Sequence, residues 1–299
     1  MNNKAPNFNR QKFLIVFIKY AGGQLTKMDF QKLLFLYHRT SHTAYYDFVP
    51  YHYGCYSFRA FSDLEILQNQ GWITIGEREI KLTIKEEIHF EKNINNLSAL
   101  KGFMADYHNV RGDELIKKIY KSYPYYAIHS KISRRVLDED DLQVIQKERQ
   151  SYLDTSPTLF TIGYEGISFE AYVNLLIQNN VCLLCDVRNN PLSRKFGFSK
   201  NMLSAVLPKI GIDYIHIPEL GIVSSKRNHL EDVNDYKILF DEYMETLSEK
   251  KVYLEQIIKL LKKYSRISLT CFEKEIKNCH RYYLSRFLEH EYNIKVVDL

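Results

Sequence analysis

Sixteen residues, Arg266 to Arg281 (RISLTCFEKEIKNCHR), hold two thiols, two carboxylates, an imidazole and two guanidiniums. The apolar β-formers Ile267 to Phe272 read as a buried strand that releases Cys271 and Glu273 into a polar loop. Cys279, His280 and Arg281 then open a helical pattern through Tyr282, Leu284, Phe287 and Leu288. Three chemistries fit these types. As a nucleophile, Cys279 at a helix N-terminus would have its thiolate favoured by the helix dipole and by His280 and Arg281. As metal ligands, Cys271, Cys279 and His280 are donors that zinc accepts, with water completing the shell. As plain structure, both cysteines are small buried hydrophobes and Arg281 alone meets a ligand. Against a metal stand the eight-residue separation of the cysteines and the absence of a CxxC pair, since Cys182 and Cys185 fall on opposite faces of a strand. No cofactor is therefore expected, with zinc as the minor alternative.

Carboxylates offer a simpler catalyst. Glu273, Asp186 and Glu219 have the types needed for general acid and base, while Arg188, Arg194 and Arg281 suit an anionic substrate because a guanidinium fork matches two oxygens. Tyr164 and Glu165 join them as candidate ligand-binding residues, and Ser193 and Lys195 add donors. Asp186 with Arg188 also reads as a structural ion pair. Glu273 is expected to outrank Cys279, because a carboxylate is ionised at neutral pH without help whereas a thiol is mostly protonated. TIGYEG has the wrong glycine count for a phosphate loop, which disfavours ATP hydrolysis and nicotinamide chemistry.

Such residues need a frame that brings them together. From Thr158 the chain alternates LFTIGY strand, SFEAYVNLLIQNN helix, VCLLCDV strand, SKNMLSAVLPKI helix and IDYIHI strand. Two helices between Tyr236 and Tyr264, the strand ISLTCF, a helix from His280 and a last strand Ile294 to Val297 complete it. Alternation of this kind predicts a mostly parallel, three-layer α/β domain over residues 158–299 whose strand ends share one rim. The pieces TIGYEG, DVRNNPLSRKFGFSK, GIDYIHIPELG and LTCFEKEIKNCHR, in this order, resemble the family catalogued as domain of unknown function 488, over roughly Thr158 to Glu291. The resemblance implies the three-layer α/β fold and little about activity. Tyr164 and Glu165 stand where many members carry a His and a Ser.

The first half reads differently. A helix from Phe13 to Tyr20 closes at Gly22 and Gly23, and Thr26 starts a second with an apolar face of Met28, Phe30, Leu33, Leu34, Leu36 and Tyr37. An irregular aromatic segment, Tyr45 to Phe58, precedes a helix Arg59 to Gln70 and a hairpin WITIGEREIKLTI turning near Gly76 to Glu79. This order predicts a mainly helical, winged-helix-like domain over residues 1–150. Its pieces LTKMDFQKLLFL, YDFVPYHYGCYSF and SDLEILQNQGWI look like helical modules of bacterial antitoxin-like regulators. A helical pattern is expected from Lys85 to Lys121, ending at Pro124, and an exposed helix from Arg134 to Arg149, with the domain boundary at Ser151 to Pro157.

The net charge of +5 comes from this half, which holds 22 Lys and Arg against 17 Asp and Glu, leaving 41 − 22 = 19 and 36 − 17 = 19 for the other. Lys27, Lys32 and Arg39 are the candidate DNA contacts, and a protein partner is the alternative. No apolar run approaches a bilayer span and the first residues lack a signal-peptide core, so no membrane partner and a cytoplasmic location are expected. Two functions follow. One is an enzyme acting on nucleotides or nucleic acid by hydrolytic or glycosidic-bond chemistry, recruited by the basic module; the other is a sensor that binds an anionic metabolite without turnover.

Overall fold

The computed structural model describes residues 5–41, 45–83, 88–227 and 233–299. Two compact units divide the chain, Met1–Ser151 and Tyr152–Leu299.

The first unit begins with α1 (Asn9–Tyr20), β1 (Gln24–Thr26) and α2 (Lys27–Ser41), followed by β2 (Val49–Tyr51), β3 (Gly54–Tyr56) and α3 (Phe58–Asn69). Then come β4 (Ile73–Ile75), β5 (Glu79–Leu82), α4 (Leu97–Asp106), α5 (Gly112–Ser122), α6 (Ser133–Val136) and α7 (Glu139–Ser151). Gly22 and Gly23 end α1 at positive φ, where a side chain would be strained. Thr26 starts α2 by accepting from the Asp29 N–H at 2.9 Å while its hydroxyl donates to the Asp29 carboxylate at 2.8 Å, a reciprocal cap. The hairpin turn is closed by the Gly76 N–H donating to the Glu79 carbonyl.

Three elements depart from the sequence reading. Gln24–Thr26 is a strand, antiparallel to β5, giving a sheet of order β1-β5-β4; three residues are too few for alternation to register. The aromatic segment holds the β2–β3 hairpin. The helix expected from Lys85 to Lys121 is two helices: Arg111 bonds back to the Tyr107 and Val110 carbonyls, and the Gly112 N–H starts α5 by donating to the buried carboxylate of Asp29 at 2.8 Å. Lys85 itself, like Ile84 at the end of the predicted hairpin, lies outside the described residues.

His38, near the end of α2, makes this unit acid-sensitive. Its Nδ1 lies 2.8 Å from the Leu34 carbonyl and must donate, while Nε2 is buried without a hydrogen-bond partner. Phe13, Tyr45, Tyr46 and Phe48 surround the ring. Burial pushes its pKa down to about 4, against the smaller pull of the Leu34 carbonyl and Asp47. The unfolded chain therefore takes up the proton first. Stability of the unit is full above the ordinary histidine range and falls, by on the order of 3 kcal/mol, as pH drops from about 6.5 to about 4. Chemical denaturation at pH 7 and pH 4.5 should show this loss, and His38→Phe should remove most of it.

The second unit runs β6 (Thr158–Gly163), α8 (Phe169–Gln178), β7 (Leu183–Asp186), α9 (Lys200–Val206) and β8 (Asp213–His216). It continues with α10 (Val233–Leu247), α11 (Lys251–Tyr264), β9 (Arg266–Cys271), α12 (His280–Tyr292) and β10 (Val296–Asp298). All five strands are parallel, in the order β10-β6-β9-β7-β8, with β9 in the centre and every one of its residues buried. Alternating residues of β9 face opposite ways. Ile267 and Leu269 join a core with Leu254, Ile257 and Leu261 of α11 and Leu284 and Leu288 of α12. Thr270 faces the other way and accepts from the Tyr172 hydroxyl of α8 at 2.8 Å. Helices thus cover both faces, as the near-continuous apolar strands require.

Register sets the rim. Gly163 pairs with Cys271, Thr270 with Asp186, and Asp186 with His216, so four strands end side by side. Among the described residues no helix is long and apolar enough to cross a membrane.

Candidate functional site

Asp186 ends β7 fully buried and is committed to Arg188. Its Oδ1 accepts from Arg188 Nε at 2.8 Å and from the Arg188 backbone N–H at 3.2 Å, and Oδ2 accepts from Arg188 Nη2 at 2.5 Å and the Tyr214 hydroxyl at 2.7 Å. Arg188 Nη1 donates to the Tyr164 hydroxyl at 2.7 Å and the Phe198 carbonyl at 2.9 Å. Burial works against the guanidinium's charge, yet the Asp186 bonds and charge hold its pKa above the ordinary range. With four donor contacts inside the protein and its partner sealed, Arg188 is a girder of the rim. The ion-pair reading of Asp186 is what the geometry displays, and a free general acid or base is not.

The loop after β9 is gripped from three sides. The backbone N–H groups of Tyr164 and Glu165 both donate to the Phe272 carbonyl, at 3.1 and 2.9 Å, and the Lys274 N–H donates to Glu165 Oε2 at 3.0 Å. Arg281, 1% exposed, donates through Nη1 to the Glu273 carbonyl at 2.5 Å and through Nη2 to the Lys274 carbonyl. It therefore serves the loop's backbone rather than an anion, which corrects its expected place beside Arg188 and Arg194. Gly163 makes the close approach possible: a Cβ there would lie 1.9 Å from the Glu273 carbonyl oxygen and 2.9 Å from Arg281 Nη2. Gly163→Ala should displace this loop, lowering stability by about 1–3 kcal/mol and exposing Cys271 to thiol reagents; unchanged melting and unchanged Cys271 reactivity would show that the loop tolerates the methyl group.

Inside that grip the cysteine cluster closes. Cys271, Cys279 and His280 are all buried, and one ligand atom from each lies within 4.8 Å of the others. Cys271 Sγ is 3.7 Å and Cys279 Sγ 3.9 Å from His280 Nδ1, and Cys271 Sγ is 3.1 Å from Glu273 Oε2. Both thiols are free. They differ sharply: the hydrogen bond from Cys279, with help from His280 and Glu273, holds Cys271 well below the thiol range despite burial, while burial and Cys271 itself push Cys279 well above it. The sequence pointed to Cys279 as the activated thiol. The surroundings favour the charge on Cys271 instead, through the Cys279 hydrogen bond and His280, while burial and the neighbouring Cys271 disfavour it on Cys279.

A cavity of about 360 Å³ opens over this cluster, lined by Tyr164, Arg188, Asn189, Asn190, Leu192, Ser193, Arg194, Lys195, Ile222, Cys271, Phe272 and His280. Arg194 is exposed at its wall. Lys195 Nζ bonds the Tyr164 carbonyl at 2.5 Å, and partial burial lowers its pKa. Glu273 is half-buried, is not among the lining residues and meets them through Cys271. Glu219, in a short 3-10 turn, is exposed and not among the lining residues, nor is Glu165. Sequence reasoning missed the amides of Asn189 and Asn190, the Phe272 ring, and Tyr214 and His216, whose Nε2 lies 2.8 Å from the Arg188 carbonyl. The NN pair directly after DVR was the available signal.

The three basic candidates of the first unit are scattered. Lys32 is 2% exposed and donates to the Cys55 carbonyl at 3.1 Å, with its pKa lowered by burial; it faces the core and meets no phosphate, a correction that follows from its place on the apolar face of α2. Arg39 is exposed but bonded to the Tyr126 hydroxyl at 2.5 Å and set against the rings of Phe35, Tyr123 and Tyr126. Lys27 is half-buried near the Phe61 ring.

The model of the family described as Domain of unknown function DUF488 matches residues 168–288, from the cap of α8 to the last turns of α12. The match takes in Asp186, Arg188, Arg194, Cys271, Glu273, Cys279, His280 and Arg281, and leaves Tyr164 and Glu165 outside it. No curated protein matches the chain.

Proposed function

We propose that the segment similar to DUF488 is the catalytic part of a hydrolase acting on nucleotides or nucleic acid, with the cavity over Cys271 and His280 as its active site. The observation that carries this reading is the composition of the cavity's lining. One loop, residues 188–195, supplies Arg194, Lys195 and the Asn189 and Asn190 amides for an anionic group. The exposed Phe272 ring, edge-on to Tyr164 at 5.3 Å, supplies a flat apolar face on which a base can stack. Glu273, next to the lining rather than in it, has Oε2 3.1 Å from the Sγ of Cys271.

In this mechanism Glu273 takes a proton from water. The water oxygen attacks the electrophilic centre, phosphorus or anomeric carbon, and the bond to the leaving group breaks with its electron pair. Arg194 and Lys195 hold the substrate, while Arg281 and Gly163 fix the backbone from which Glu273 extends. Incubating the full chain with a panel of nucleoside mono-, di- and triphosphates, nucleosides and short single strands, and following both binding and products by chromatography, tests it. Turnover of any class supports the hydrolase. Binding without product favours the sensor, and neither removes both.

For the first unit we propose a winged-helix module that docks a protein rather than duplex DNA. The order α1-β1-α2-β2-β3-α3-β4-β5, in which β1, β4 and β5 form a three-stranded sheet and β2–β3 is an added hairpin, supports the winged-helix reading. Charge supports the protein partner: α3 carries Arg59 against Asp63 and Glu65, the hairpin turn carries Glu77, Arg78 and Glu79, and Lys32 is buried. On α3 and the hairpin turn, the elements a winged helix would turn to DNA, carboxylates outnumber cations four to two. The isolated chain is expected to retard no duplex even at about 50 mM salt; salt-sensitive retardation, lost in Lys27→Ala with Arg39→Ala, would return the module to DNA.

A further inference from the structure

We infer that Cys271, Cys279 and His280 form a binding site for one zinc-class divalent cation at the floor of the cavity. His280 is held by its outer ring nitrogen. Its Nε2 lies 3.0 Å from the Val187 carbonyl, which can only accept, so Nε2 carries the proton. Its other ring nitrogen, Nδ1, faces two sulfurs, 3.7 and 3.9 Å away. A ring whose outer N–H is fixed by a backbone carbonyl while the other nitrogen faces thiols is the arrangement that orients a metal-ligating histidine.

Distance supports the same occupant. Zn–S bonds of about 2.3 Å and Zn–N bonds of about 2.0–2.1 Å at tetrahedral angles place ligand sulfur and nitrogen about 3.6 Å apart, and two ligand sulfurs about 3.8 Å apart. The two measured S···N separations fall within a few tenths of an ångström of that edge, and all three ligand atoms fit inside 4.8 Å. Van der Waals packing alone does not require three donor atoms to converge in this way. Two sulfurs and one imidazole are the ligand class that selects zinc over calcium or magnesium, which prefer oxygen.

Position completes the case. Cys271 and His280 both line the cavity while Cys279 lies behind them, so the fourth coordination position is available on the cavity side, as in metal sites that keep a place for water or substrate. The frame is stiff: Cys271 ends the central strand, Cys279 caps α12, and Arg281 ties the intervening loop. Glu273 stays outside the ligand set and retains its role as base. The site stands apart from the substrate reading, since it is argued from ligand geometry alone.

The test is metal content. Full-length protein bearing no histidine tag, expressed with added zinc and purified without chelator, should hold about one zinc per chain by mass spectrometry. Cobalt(II) exchange should give tetrahedral d–d bands with a thiolate charge-transfer band, a readout that needs no variant. Cys271→Ser, Cys279→Ser and His280→Ala should each lose at least nine-tenths of the metal, while Cys182→Ser and Glu273→Gln keep it. Less than a tenth of an equivalent in the wild-type protein together with no cobalt–thiolate band, a Cys271–Cys279 disulfide in the native protein, or full retention in the double cysteine variant would each overturn the site. A metal-free protein that still hydrolyses nucleotides sinks this inference and spares the function; a zinc-loaded protein inert toward the whole panel does the reverse.

Discussion

Glu273→Gln should lower kcat by about 10²- to 10⁴-fold while substrate affinity changes little. The amide keeps the size and the loop geometry, because the Glu273 backbone carbonyl that Arg281 holds is unchanged. What disappears is the capacity to accept a proton. In the proposed reading substrate is held by Arg194, Lys195 and the two asparagines rather than by Glu273, so kcat and Kd should separate. Single-turnover kinetics and titration of the same preparation measure both. A substrate-derived adduct trapped on Cys271, with Glu273→Gln near wild-type rate, would transfer the chemistry to the thiol, whose depressed pKa already suits a nucleophile.

Asp186→Asn should destabilise the second unit by about 3–5 kcal/mol, the usual result of stranding one member of a buried pair. Arg188, 5% exposed, would keep its charge and lose its only counter-ion contact among the described residues, and Tyr214 would lose a charged acceptor. At about 2–4 °C per kcal/mol for a unit of this size, the melting point should fall by roughly 6–20 °C. Asp186→Leu combined with Arg188→Met should recover much of the loss, since a well-packed apolar pair can replace a buried ion pair. If Asp186→Asn melts normally but is inactive, Asp186 is chemical rather than architectural, and the girder description of Arg188 fails.

These two carboxylates looked alike in the sequence, and their difference shows where reading the chain stops. Each follows an apolar strand at the rim of a β/α alternation, and alternation is a local property: period-two apolar runs, serine caps at Ser168 and Ser199, and the helical pattern after Cys279 are all written in neighbouring residues. The parallel strands, their shared rim and the stretch 266–281 were legible for that reason, as was the resemblance to DUF488. In the first unit the same local signals marked α1, α2, α3 and the β4–β5 hairpin. They failed for β1, whose three residues become a strand only by pairing with β5, more than fifty positions later.

Side-chain partnership was beyond the sequence, because partners come from elements that are neighbours only in space. Asp186 is sealed by Tyr214 from β8 and by an Arg188 that is itself braced on Tyr164 and Phe198. Lys32 reads as a surface cation on a helix until β3 covers it. Arg281 reads as an anion ligand until the Glu273 carbonyl takes its donors, an approach that exists because residue 163 has no side chain. The eight-position separation of Cys271 and Cys279 argued against a shared site, but spacing along the chain measures closeness only within one regular element. Here a strand end and a helix cap are folded back on each other by a clasped loop, and that fold, rather than the spacing, sets both thiols against one imidazole nitrogen.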